Sequence, residues 1–258
     1  GWLPAAGADE LDQIRLGRSV LLASWAASLA LLWRLALRVG DRAAAAAAVA
    51  VAAALTENLV HAASFRVDGL MAPVFLGACL AATAPSPRRF ALAGALGGVL
   101  LALSLKASLV LPLLAAVALA SARGRADVGR LLAMGAASFA ATAAAIFAAH
   151  GALLPDAPPA AGATATAGAF LRNAGTRMLL DGGLFPRLGT LRASALANLP
   201  TWLLVAVGLG TAAGLLRQGE GRSRAWPLLL FATPVALFAV YRNLWPYALV
   251  SLLPTVWV

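Results

Sequence analysis

Charged residues are scarce in this sequence. Only 12% of its 258 residues are charged and 62% are hydrophobic, whereas a soluble domain has about 25% charged and about 45–50% apolar residues. A membrane-spanning helix needs about 20 mostly apolar residues, so the chain has room for roughly nine spans with short loops. The composition therefore predicts an all-α, polytopic transmembrane helix bundle of about 8–9 spans.

Cysteine and histidine are almost absent as well. Cys79 is the only cysteine, which excludes an internal disulfide, and it lies in an apolar run where a packing role is expected. The two histidines, His61 and His150, are far apart, and neither a CxxC nor an HExxH pattern occurs. The sequence therefore predicts no metal site built from familiar motifs.

The basic residues are arginines, with Lys106 as the single lysine, and the net charge is +10. Such a charge on a soluble protein would suggest nucleic-acid binding. Here the arginines lie at the ends of apolar runs, not on one face of a domain, so nucleic acid is excluded as a partner. The chain has no signal-peptide pattern. It opens on Gly1 without a methionine and stops inside an apolar run at Val258, which predicts a fragment of a longer membrane protein.

The apolar runs divide the chain into three regions. Residues 1–150 form the first part of the bundle, 151–198 an extracytoplasmic loop with interfacial helices, and 199–258 the last spans, truncated at the end. The predicted spans are 19–37, 43–62, 67–84, 90–105, 107–121, 130–150, 199–216, 225–241 and 245–258.

Arginine placement gives the bundle a direction. Alternate gaps between spans hold eleven arginines, whereas each short gap of the other set holds one basic residue. Because cytoplasmic loops are enriched in Lys and Arg, the arginine-rich gaps are predicted to be cytoplasmic. They contain Arg34, Arg38, Arg42, Arg88, Arg89, Arg123, Arg125, Arg130, Arg217, Arg222 and Arg224.

A polar stretch at the outer end of the second span is the first candidate site. It contains Glu57, His61, Arg66 and Asp68. Ionisable groups at membrane depth usually pair or line a wet cavity, and Glu57 and His61 are spaced to share one helix face. Arg66 can equally anchor to lipid headgroups, and Asp68 can equally cap the next helix.

Two more basic residues fall on the same predicted outer face. Lys106 stands between two apolar runs, and Arg242 stands beside Trp245 and Tyr247. Each could hold a phosphate group together with Arg66. Each could also be an interfacial anchor, since lysines snorkel and aromatic residues form belts at both membrane surfaces.

The order of these motifs resembles the GT-C membrane glycosyltransferases. Within that superfamily it resembles the bacterial relatives of protein O-mannosyltransferases and of the lipid A aminoarabinose transferase. The resemblance is carried by Arg66-Val67-Asp68 opening a span, the glycine-rich run 92–107 that includes Lys106, and Arg242-Asn243-Leu244-Trp245-Pro246-Tyr247. Val67 replaces the proline usual in the first motif.

The resemblance implies transfer of a sugar from a polyprenyl-phosphate donor to a glycan, lipid or protein acceptor. The reaction would take place on the non-cytoplasmic side of a bacterial inner membrane, with inversion at the anomeric carbon. Some members use a divalent metal, for which this sequence shows no ligand set. The catalytic acid of the family lies in the first external loop. It is therefore expected upstream of Gly1, with Asp9, Glu10 and Asp12 as the candidates inside the chain.

Two other functions remain open at this stage. A secondary transporter would also carry polar residues inside its bundle, although usually near the midplane and in two related halves. A non-catalytic lipid-binding membrane subunit would explain the lack of an obvious catalytic acid. Sugar transfer would indicate the glycosyltransferase, solute transport without sugar transfer the transporter, and lipid binding without turnover the non-catalytic subunit.

Overall fold

The computed structural model describes residues 9–55, 68–83, 86–104, 107, 110–121, 125–152, 168, 188–200, 202–203, 206–207, 210 and 213–214. Within these ranges the chain is helical and contains no strand, which confirms the all-α prediction for them. The helices are α1 (Glu10–Val39), α2 (Arg42–Ala54), α3 (Asp68–Ala82), α4 (Pro87–Leu103), α5 (Leu111–Ser121), α6 (Arg125–Ala152) and α7 (Leu188–Ala197).

Two of the described helices are long and apolar enough to cross a membrane. They are the stretches Glu10–Arg38 and Val128–His150. The apolar helices α2 and α3 have 13 and 15 residues, which is shorter than a full span. The predicted total of about 8–9 spans therefore stays a prediction. Spans 225–241 and 245–258 lie outside the described residues, as does most of the predicted loop 151–198.

Capping residues explain why the helices begin where they do. The Asp9 carboxylate accepts a hydrogen bond from the Asp12 amide (2.7 Å), so α1 begins well before the predicted span at 19. Ser86 caps α4 in the same way and Pro87 occupies its first turn, which places the start of α4 ahead of residue 90. The hydrophobic pattern alone missed these polar first turns.

The second predicted span is not one continuous helix. Helix α2 ends at Ala54, and Leu55 is extended with φ −60° and ψ 128°, whereas the apolar run predicted a helix through residue 62. The polar residues Thr56, Glu57 and Asn58 follow at once. Threonine and asparagine side chains compete for backbone hydrogen bonds and favour helix ends.

The helices pack both against their neighbours in the chain and against helices one further along. Helix α1 contacts α2 and α3, α3 contacts α4, and α5 contacts α3, α4 and α6. The α1–α2 connection is Gly40–Asp41, in which Asp41 accepts a hydrogen bond from the Ala44 amide (2.8 Å). The buried core is formed by large side chains from several helices, namely Leu32, Leu35, Leu55, Met71, Phe75, Leu76 and Leu100.

The most extensive contact joins α4 and α6. Gly94 faces the backbone of Gly135, and Gly98 faces Phe139, Thr142 and Ala143. Because the partner numbers rise together, the two helices run parallel. A Cβ atom on Gly94 would overlap the Gly135 carbonyl oxygen, so glycine is what permits this close approach. Small residues play this part in many membrane helix pairs.

Candidate functional site

A group of polar atoms lies within the apolar part of α1. The Ser24 hydroxyl donates a hydrogen bond to the Gly69 carbonyl oxygen (2.7 Å), and the Ser28 hydroxyl donates to the Ser24 carbonyl oxygen (2.9 Å). Ser28 is buried, with 5% of its surface exposed. The indole nitrogen of Trp25 is buried as well and has no hydrogen-bond partner among the described residues. We call Ser24, Trp25 and Ser28 the α1 polar patch.

The α1 polar patch fixes the start of α3. Gly69 lies in the first turn of α3 and follows directly after Arg66-Val67-Asp68, the motif that carried the sequence prediction. The bond from Ser24 therefore holds the beginning of α3 against the apolar part of α1. Asp68 belongs to α3, but its side chain is outside what the structure describes, as are Glu57, His61 and Arg66.

The other two predicted phosphate contacts also fall outside the described residues. Lys106 lies between Ser104, which caps the C-terminus of α4, and the buried Ala107. Arg242 belongs to the C-terminal part of the chain that the structure does not describe. Their convergence with Arg66 on one face remains a prediction.

The candidate acids at the start of α1 are held in local interactions. Asp9 caps the helix, and Asp12 forms an ion pair with Arg15 at 3.4 Å in which both side chains are exposed. Asp12 and Ser24 are about 18 Å apart along the axis, at the helical rise of about 1.5 Å per residue. Asp9, Glu10 and Asp12 are thus remote from the α1 polar patch, and a catalytic role for any of them stays a prediction.

An apolar groove of about 380 Å³ lies between α4, α5 and α6. Its wall includes Phe90, Ala93, Gly97, Leu111, Ala136 and Phe139. The side chain of Leu111 approaches the space above Gly97, where a Cβ atom would meet it at 3.4 Å. Gly94 and Gly97 also lie in the wall, where α4 approaches α6 and Leu111 of α5.

Sequence reasoning missed both the groove and the α1 polar patch. The serines of the patch are four residues apart within an apolar run, a spacing that places them on one helix face. The glycines at 94, 97 and 98 belong to the run 92–107 that carries part of the family resemblance. Their spacing was also the signal for a close helix pair.

No group of three or more His, Cys, Asp or Glu side chains that could hold a metal ion occurs among the described residues. Comparison with known proteins adds no relative: no protein-family model, curated protein or solved structure matches the chain.

Proposed function

We propose that the protein is an integral membrane glycosyltransferase of GT-C type. It would move a sugar from a polyprenyl-phosphate donor to a glycan, lipid or protein acceptor on the non-cytoplasmic side of a bacterial inner membrane. The observation that carries this proposal is the hydrogen bond from Ser24 to Gly69, because it holds the residue after Arg66-Val67-Asp68 inside the bundle.

Membrane placement is supported by α6. Its apolar stretch Val128–His150 has 23 residues, and only 11% of the 18-residue segment that could span a membrane is buried within the protein. An apolar helix with so little protein around it needs another apolar environment, which a bilayer supplies. Helix α1, with 30 residues, is about 45 Å long and exceeds the hydrocarbon core of about 30 Å.

The chemistry requires a cation near the donor phosphate and a base near the acceptor. The acceptor oxygen or nitrogen attacks the anomeric carbon, the bond from that carbon to the phosphate oxygen breaks, and the acceptor proton passes to a carboxylate. Arg66, Lys106 and Arg242 are proposed to stabilise the charge that develops on the leaving phosphate. The base is a carboxylate still to be assigned.

Substitution of the proposed phosphate contacts tests this function. Arg66→Ala and Lys106→Ala should each reduce transfer from a polyprenyl-phosphate sugar by about 100-fold or more, the effect typical of removing one donor to a developing charge. Arg38→Ala serves as the control, because Arg38 is exposed in the last turn of α1, at the end of the bundle predicted to be cytoplasmic. All three proteins should remain in the membrane fraction after alkaline extraction. Unchanged transfer in the first two variants would contradict the roles of Arg66 and Lys106.

A non-catalytic lipid-binding membrane subunit is the second candidate. It is favoured by the engagement of Asp9 and Asp12 in a helix cap and an ion pair, which leaves no free described carboxylate near the α1 polar patch. Stoichiometric binding of a labelled donor without release of the sugar, in the presence of membrane extracts containing acceptors, would support this candidate over the enzyme.

A further inference from the structure

The groove between α4, α5 and α6 lies towards the end of the bundle opposite the proposed transfer site. It extends along α4 from Phe90 to Gly97, about 10 Å at the helical rise. Phe90 lies at the start of α4, close to the arginines predicted to be cytoplasmic, whereas Lys106 follows the far end of the same helix. The groove therefore belongs to the cytoplasmic half of the predicted bundle.

Exposed arginines mark this end of the bundle. Arg88 and Arg89 lie in the first turn of α4, and Arg130 lies near the start of α6. The parallel packing of α4 and α6 brings these helix starts to the same end. Arg89 is placed closest to the groove, because it is four residues before Ala93, which lines the wall. Arg88 falls on the other side of α4, as successive helical residues turn by about 100°.

We propose that this groove holds one hydrocarbon chain of an anionic phospholipid and that Arg89 binds the lipid phosphate. The inference rests on the proposed membrane placement, but it does not depend on glycosyl transfer. The apolar wall can accommodate a hydrocarbon chain, and the guanidinium of Arg89 can donate hydrogen bonds to an anionic oxygen in the adjacent headgroup region. Anionic lipids of the cytoplasmic leaflet present both groups at this depth.

Charge complementarity distinguishes this occupant from others. An apolar helix would fill the groove but leave Arg89 without a counter-ion, and in a zwitterionic lipid the headgroup ammonium already neutralises the phosphate. A free phosphate ion would satisfy Arg89 but leave the groove of about 380 Å³ unfilled. An anionic phospholipid can fill the groove with a hydrocarbon chain and provide Arg89 with a counter-ion.

Lipid titration of the purified full chain, followed by native mass spectrometry, tests the proposal. The probes are phosphatidylglycerol, phosphatidylcholine with the same acyl chains, and inorganic phosphate. Phosphatidylglycerol should bind at least about fivefold more tightly than phosphatidylcholine, the preference expected from one basic residue beside an anionic lipid. Inorganic phosphate should not compete with it at equal concentration.

Two matched pairs of variants separate a defined site from general attraction. Arg89→Gln should remove the preference for phosphatidylglycerol, whereas Arg88→Gln should retain it. Ala136→Phe should weaken binding of both lipids, because Ala136 lines the groove, whereas Ala137→Phe should not, because Ala137 is equally exposed but lies outside the wall. If Ala136→Phe does not fold, Ala115→Phe on α5 fills the groove from the other side.

Three results would overturn the proposal. Equal binding of the two lipids by the unaltered protein would remove the anionic preference. If Arg88→Gln and Arg89→Gln lost the preference for phosphatidylglycerol to the same extent, the preference would come from the general positive charge and not from a defined site. Unchanged binding in a folded groove-filling variant would place the lipid elsewhere. Extraction of the protein by alkaline carbonate would instead refute the membrane placement, and a loss of sugar transfer alone would leave the lipid site standing.

Discussion

The Ser24 hydroxyl donates a 2.7 Å hydrogen bond to the carbonyl oxygen of Gly69, and the two residues are 45 positions apart in the sequence. This bond joins the middle of α1 to the first turn of α3. It therefore links α1 to the helix that directly follows the Arg66-Val67-Asp68 motif.

Ser24→Ala should therefore destabilise the bundle by about 0.6 kcal/mol, the average for a hydrogen bond between membrane helices. The measurement is unfolding in mixed micelles with increasing sodium dodecyl sulfate. Ser19→Ala is the control, since the Ser19 hydroxyl bonds only to Arg15 of its own helix and is exposed. If both variants unfold together with the unaltered protein, the Ser24 bond contributes no stability.

Gly94→Ala should destabilise the α4–α6 pair by about 1–3 kcal/mol, the cost typical of an overpacked site. The added methyl group would overlap the Gly135 carbonyl, and backbone cannot move aside as a flexible side chain can. Gly129→Ala is the matched control, because a Cβ atom there meets nothing within 4 Å. The control should be neutral or slightly stabilising, since alanine favours helix over glycine. Equal unfolding midpoints for the two variants would contradict the close approach.

Substitutions of Asp9 separate capping from catalysis. Asp9→Ala should lower stability by about 1 kcal/mol through loss of the N-cap, whereas Asp9→Ser should be nearly neutral because serine also caps. Both variants should retain sugar transfer, since the Asp9 carboxylate accepts a hydrogen bond from the Asp12 amide and is remote from the α1 polar patch. Loss of transfer in a stable Asp9→Ser protein would instead assign Asp9 a catalytic role.

Cysteine labelling tests the direction of α1. Leu11→Cys and Arg42→Cys introduce thiols at exposed positions near opposite ends of α1. A membrane-impermeant maleimide should label Leu11→Cys from the non-cytoplasmic side and Arg42→Cys from the cytoplasmic side. The native Cys79 should stay unlabelled in the folded protein, because it is fully buried. Labelling of both sites from the same side would refute a membrane-crossing α1.

The apolar runs predicted where most of the described helices lie, because burial of nonpolar side chains determines the approximate position of a helix in the sequence. They did not predict helix ends. Asp9 and Ser86 extend α1 and α4 into polar sequence through caps, and Leu55 stops α2 inside an apolar run. Such ends depend on a few backbone hydrogen bonds, which hydropathy does not record.

The candidate site was less accessible from sequence. The serines at 24 and 28 were visible, but Gly69 as the partner of Ser24 depends on how α1 packs on α3. The groove depends on how three helices, α4, α5 and α6, meet. These features arise from tertiary packing, which the sequence does not show directly. The predicted phosphate contacts Arg66, Lys106 and Arg242 follow from residue type and predicted topology alone.

The parallel pairing of α4 and α6 also has a consequence for biogenesis. The glycine face of α4 has its main partner in a helix that is synthesised later, after the whole of α5. During synthesis α4 must therefore wait in the membrane with Gly94 and Gly98 uncovered, and the bundle closes only when α6 arrives. A ribosome stalled before α6 is complete should leave α4 accessible to proteases or to insertion chaperones, and release of α6 should end that exposure.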